Sequence, residues 1–171
     1  MIKSDKKLKE LSLILGRKSN LLISEAIKSL REDEPFEGAI GLLVSLYNEN
    51  EDRAVRKTIE EFLNDLKDHS ARSEVIAEII KPWKAGTISM LAASCWQSGL
   101  DYSEYIAEIA GIFLKGDYTT AIECMTVIEE SAGKCSRDRK NEVIRMIEES
   151  PFSGVNEKSV LTLELIGILE K

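Results

Sequence analysis

Histidine is almost missing from this chain. His69 is the only one, which excludes catalytic or metal centres that need several imidazoles. Cys95, Cys124 and Cys135 are an odd set without a CxxC spacing, so neither a disulfide framework nor a cysteine-rich zinc site is expected. Three prolines and ten glycines, with no low-complexity run, leave little room for long linkers. No GxxxxGK(S/T) or GxGxxG pattern occurs, so a phosphate cradle or dinucleotide site has no motif to stand on. Apolar runs are broken by charged or polar residues well before membrane-spanning length. The opening MIKSDKKLKELSLILGRK is basic and amphipathic, with a short apolar stretch at 11–15 and no small-residue cleavage site after it. It is read as a helix rather than a signal peptide. The expectation is a cytoplasmic protein with no metal, no cofactor and no membrane contact.

What the chain has in quantity is charge, unevenly placed. Residues 1–31 hold 8 basic and 3 acidic side chains, a balance of +5, and residues 32–171 hold 15 basic and 27 acidic, a balance of −12; together they give the net −7. An acidic body repels phosphate and offers little counterion release, so nucleic acid is not an expected partner. The basic end is read first as a solvated helix. It also suits an acidic partner or the acidic body of a neighbouring copy, which makes weak self-association a further expectation.

Apolar residues recur at three- and four-residue spacing nearly throughout, and strand-like alternation is nearly absent. Ile40, Leu43, Val44 and Tyr47 form one stripe, and Val55, Ile59, Phe62, Leu63 and Leu66 another. Breakers such as Gly16, Pro35, Pro82, Gly86, Gly99, Gly116, Gly133, Pro151 and Gly154 punctuate the pattern. The spacing predicts helices over 4–15, 20–31, 36–48, 52–67, 71–81, 86–98, 102–115, 118–132, 138–149 and 157–170.

These helices repeat. SEVIAEI at 73–79 and SEYIAEI at 103–109 match at six of seven positions. Val55, Ile88 and Ala121 are spaced by 33, as are Ile59, Ala92 and Met125, and Phe62, Cys95 and Ile128. A period in the thirties carrying two helices is the mark of an α-solenoid, in which stacked hairpins share a core that none could bury alone. The stretch PFEGAIGLLVSLYNENEDRAVRKTIEEFLNDLKD (35–68) resembles a HEAT repeat: an apolar first helix, an acidic turn, then Asp52, the Val55-Arg56 pair and an apolar second helix. The resemblance implies that Asp52 and Arg56 tie neighbouring repeats together. The units at 71–98, 102–132 and 138–170 keep the helix lengths and apolar spacing but lose the Val-Arg pair. The expected fold is all-α: one domain over 1–171, a right-handed superhelix of about four HEAT-like hairpins with an N-terminal helical cap over 1–31.

One stretch, ASCWQSGLDYSEY (93–105), looks catalytic at first sight. Its SCW triplet is similar to the papain-type cysteine protease motif, yet Ala93 stands where that motif has glycine, and no histidine follows. Cys95 would also sit near a helix C-terminus, where the macrodipole disfavours a thiolate. The stretch reads better as a joint. Cys95 belongs to the core stripe, Gly99 is a left-handed helix stop, and Asp101 with Glu104 forms a capping-box-like start. HEAT-like di-iron hydroxylases use several His-Glu pairs, which one histidine cannot supply. Pairs such as Glu129-Glu130 and Glu148-Glu149 point in different directions on a helix and read as solvated faces.

In HEAT-like solenoids the second helix of each hairpin lines the concave face. Residues turned away from the core at about 100° per residue then fall into columns: Lys57, Met90, Glu123; Glu60, Ala93, Thr126; and Asn64, Gln97, Glu130. The span 85–100 holds no charge at all, which is unusual for a helix that faces water. Met90, Ala93, Ser94 and Gln97 are therefore expected to meet a partner helix or peptide, with basic residues against Glu123 and Glu130. Ser94 and Gln97 stand out as candidate contacts. The leading expectation is a non-enzymatic scaffold that binds a protein or peptide. The alternative is a HEAT-like lyase or DNA glycosylase relative; a glycosylase would need a basic, aromatic-lined concave face, and these columns are neutral or acidic.

Overall fold

The computed structural model describes residues 3–32, 36–152 and 156–171. Pro35 and Gly154, read above as breakers, lie outside them. Among the described residues there are ten α-helices and no strand: α1 (Asp5–Leu15), α2 (Asn20–Ser29), α3 (Ala39–Glu49), α4 (Arg53–Asn64), α5 (Ala71–Ile79), α6 (Ala85–Gln97), α7 (Ile106–Lys115), α8 (Tyr118–Ala132), α9 (Arg137–Glu148) and α10 (Ser159–Glu170). No helix among the described residues is long and apolar enough to cross a membrane.

Each odd-numbered helix packs on the even-numbered one that follows. Helices two apart also pack: α1 on α3, α3 on α5 and α7 on α9, and α2, α4, α6, α8 and α10 in succession. This pattern is compatible with a helical array. All ten helices contribute to one continuous cluster of buried side chains, from Leu11 through Ile59, Leu91 and Phe113 to Leu169. Burying each Leu, Ile or Phe side chain is worth about 1.5–3 kcal/mol.

Five helices start on their own side-chain caps. Ser4, Ser19, Asp52, Asp117 and Ser136 each accept from a backbone N–H in the first turn of α1, α2, α4, α8 and α9. Others borrow their caps from far along the chain. Gly38, left-handed at φ 90°, precedes α3, and its N–H donates to Glu74 Oε1 on α5 at 2.5 Å. The N–H of Lys84, before α6, donates to Asn48 Oδ1 at 3.0 Å, and the Thr87 hydroxyl reaches the same oxygen. The Lys158 ammonium donates to the carbonyls of Leu114 and Gly116 at 2.6 and 2.7 Å, closing the C-terminal end of α7.

Two helix starts fall three or more residues from expectation. The third helix begins at Ala39 rather than 36, because a helix cannot run through the left-handed Gly38. The seventh begins at Ile106 rather than 102, after a single 3-10 turn at Ser103–Tyr105. The capping box does not form. Asp101 Oδ1 accepts from the Ser103 N–H at 3.0 Å, while Glu104 turns away to Arg72 at 3.1 Å. Gly99 does take the left-handed stop, at φ 70°.

Candidate functional site

Two clefts open along α4 and α6. The first has a volume of about 360 Å³ and is lined by Tyr47, Glu60, Asn64, Gly86, Ser89, Met90, Ala93 and Gln97. The second, of about 470 Å³, shares Tyr47, Glu60 and Gly86 with it and continues past Glu51, Arg53, Arg56 and Lys57. Together they form a polar trough, mixed in charge at one end and neutral at the other.

Local packing explains how these side chains come together. On α4, Val55, Ile59 and Leu63 are wholly buried, which turns Glu60 and Asn64 toward the trough. On α6, Leu91, Ala92 and Cys95 are buried, leaving Ser89 and Ala93 half-buried and Gln97 exposed. The Asn64 amide nitrogen donates to Gln97 Oε1 at 2.6 Å. The Tyr47 hydroxyl donates to Glu60 Oε1 at 2.7 Å. The Arg56 guanidinium lies over the Tyr47 ring, 4.3 Å from its centroid. Burial, and then the neighbouring Glu60 carboxylate, push the Tyr47 phenol up to about 12, so it remains a donor at neutral pH.

Of the candidates read from sequence, Asn64, Met90, Ala93 and Gln97 line the first cleft and Lys57 lines the second. Ser94 is corrected: it is 2% exposed, and its hydroxyl donates to the Leu91 carbonyl at 2.8 Å. Met90 is at the cleft edge but mostly buried, at 8% exposure. Glu123, Thr126 and Glu130 line neither cleft. Glu123 accepts from the Trp96 indole at 2.7 Å, Thr126 donates to the Ile122 carbonyl at 3.1 Å, and Glu130 is exposed. The absence of charge on α6 thus has two origins. Thr87, Ser94 and Ser98 are buried between packed helices, whereas Gly86, Ser89, Ala93 and Gln97 face the cleft.

The sequence reading missed Tyr47 and Ser89, and it missed Arg53 and Glu51 at the mixed end. Tyr47 was visible only as the last member of an apolar stripe. The available signal is chemical: a tyrosine buries its ring and keeps a polar tip for a partner.

Asp52 and Arg56 behave differently from each other. Asp52 caps α4 through Oδ1, and its Oδ2 accepts from the Asn20 amide on α2 at 2.8 Å, so it does join two hairpins. Arg56 reaches back to Tyr47 within its own hairpin. Cys95 is wholly buried, and burial pushes its thiol up to about 12. Among the described residues no group of three or more His, Cys, Asp or Glu is placed to hold a metal ion. Comparison with protein-family models, with curated proteins and with solved structures finds no match to this chain.

Proposed function

We propose that the chain is a right-handed solenoid of HEAT-like hairpins and acts as a scaffold that captures a peptide segment of another protein. The observation that carries this reading is the trough along α4 and α6, where Asn64 and Gln97 meet at its rim. Each amide spends one of its four hydrogen-bonding positions on the other. That leaves the Gln97 NH₂ group as a donor and the Asn64 oxygen as an acceptor. A donor and an acceptor side by side match the C=O and N–H of a peptide backbone. The mixed end, where Arg53 and Lys57 line the cleft together with Glu51 and Glu60, then selects for side-chain charge. The 33-residue offset supports the repeat architecture, since Asn64 and Gln97 are 33 apart and touch.

The test is affinity capture from native cell extract with the wild-type chain and with Ala93→Arg/Gln97→Lys. The double variant fills the cleft and alters its charge at positions that are not fully buried, so its folding should be preserved. Loss of a specific captured protein, with an unchanged unfolding midpoint, is expected. An identical captured set from both chains overturns the trough as the binding surface.

A further inference from the structure

The four most exposed large apolar side chains among the described residues are Leu13 at 73%, Leu21 at 70%, Val160 at 71% and Leu163 at 72%. They are not scattered. Leu13 and Leu21 stand on either side of the turn that joins α1 to α2, and Val160 and Leu163 share one face of α10, three residues apart. Repeat arrays stay separate in solution when their terminal helices present polar outer faces. Here the outermost helices carry leucine and valine in water.

The exposed charges around the two patches are mostly of opposite sign, with Glu25 four residues after Leu21 and Lys171 after Glu170 among the exceptions. Lys9 and Arg17 lie four residues before and after Leu13, and Lys18 follows; none has an ion-pair partner among the described residues. On the other patch, Glu164 and Glu170 are exposed and spaced +4 and +7 from Val160 and Leu163, which puts them on the same side of α10, and Glu157 is exposed in the 3-10 turn that precedes the helix. They too have no ion-pair partner among the described residues. The neighbouring Lys158 does not cancel them, because its ammonium is turned inward onto the α7 carbonyls.

We infer that α10 docks on the α1–α2 hairpin of a second copy, so that the chain associates head to tail. Basic-apolar meets acidic-apolar: Leu13 and Leu21 cover Val160 and Leu163, and the surrounding lysines and arginine face the three glutamates. Because the two patches differ, the contact is heterologous. It does not close by itself at two copies, and each dimer keeps one unused patch at each end.

The experiment is sedimentation of the whole chain over a concentration series at about 10 mM and about 1 M ionic strength, where the screening length falls from roughly 30 Å to roughly 3 Å. The mass should rise with concentration at low salt, and high salt should weaken association at least tenfold. Two variants at exposed positions are run beside it: Leu13→Asn/Leu21→Asn at the head, and Val160→Asn/Leu163→Asn at the tail. Each alone should sediment as a monomer with an unchanged helical circular-dichroism signal. Mixed in equal amounts they should form a dimer that grows no further, because one supplies an intact tail and the other an intact head. A wild-type chain that stays monomeric at low salt overturns the inference. So does a mixture that stays monomeric while the wild type associates, and so does either variant that dimerises alone, which is the behaviour of a patch that pairs with itself.

Discussion

Asn64 and Gln97, 33 residues apart, share a hydrogen bond of 2.6 Å at equivalent positions of α4 and α6. Both ends of the bond face solvent, so its net worth is small. A double-mutant cycle with Asn64→Ala and Gln97→Ala should give a coupling energy of about 0.5 kcal/mol in urea unfolding, with each single change costing less than about 1 kcal/mol. A coupling indistinguishable from zero would show that the two amides do not pair in solution.

Ser94 sits one helical step from this pair and behaves in the opposite way. Its hydroxyl is buried and returns to its own helix at Leu91. Ser94→Ala should therefore change stability by less than about 1 kcal/mol, because donor and partner are a local pair and the carbonyl keeps its helical bond. It should leave partner capture untouched. Ser94→Asp should unfold the chain, since it places a charge where water cannot follow. Thermal melts of the two variants, run beside the capture assay, separate a packing role from a contact role.

Asn48 is the remote cap of α6. Its side-chain oxygen accepts from the Lys84 N–H at 3.0 Å and from the Thr87 hydroxyl at 3.0 Å. Lys84 itself provides no side-chain cap. Asn48→Ala should cost about 1–2 kcal/mol in chemical denaturation, the usual size of a lost N-cap. Asn48→Asp should recover most of that, because it restores the acceptor and puts negative charge at a helix N-terminus. Equal loss in both variants would mean that α6 is held by packing alone.

The helices were legible in the sequence because period and caps are local. Ser19, Asp52 and Asp117 stand immediately before the helices they start. The 33-residue spacing coincides with burial at Ile59 and Ala92, while Ile88, Phe62 and Met125 in the same columns are only half-buried. What escaped was non-local. The start of α3 depends on Glu74, 36 residues away, and on the left-handed Gly38. Ser94 escaped because a helix packed on two sides has no single outward direction, and a serine can be buried cheaply by bonding its own backbone. Tyr47 escaped because apolar periodicity scores its ring and ignores its hydroxyl.

Glu74 ties stability to pH in an unusual direction. Burial holds its carboxyl above the usual glutamate value, even though the Gly38 N–H bond pulls the other way. The folded chain then binds this proton more tightly than the unfolded chain does. The resulting stabilisation is fully present below the ordinary glutamate range and is lost as pH rises through the raised value. Asp52, Asp68, Asp101 and Asp117 are held low by hydrogen bonds to backbone or side-chain donors and act in the opposite sense. Glu74→Gln isolates the one term, since it keeps an acceptor for Gly38 and removes the charge. The stability of the variant relative to wild type should increase with pH across that window and level off above it. A difference that is flat with pH would show that Glu74 titrates like a solvated carboxyl.

The three cysteines should differ in reactivity for a reason that also bears on the SCW triplet. Thiol reagents attack the thiolate, and an unperturbed cysteine has a pKa near about 8.5. Cys95 and Cys124 are wholly buried, and burial raises both, Cys95 to about 12. Cys135 is only half-buried, just beyond the end of α8, and is raised by partial burial while Lys140 and Arg139 oppose the shift. At mildly alkaline pH a chromogenic disulfide reagent should therefore titrate a single prompt thiol in the native chain, more slowly than a free cysteine. The other two should appear only at the rate of unfolding. Cys135→Ser should abolish the prompt phase and leave the slow ones unchanged. Prompt labelling that survives this substitution would mean that Cys95 or Cys124 is open to solvent, and the reading of Cys95 as a core residue would fall with it.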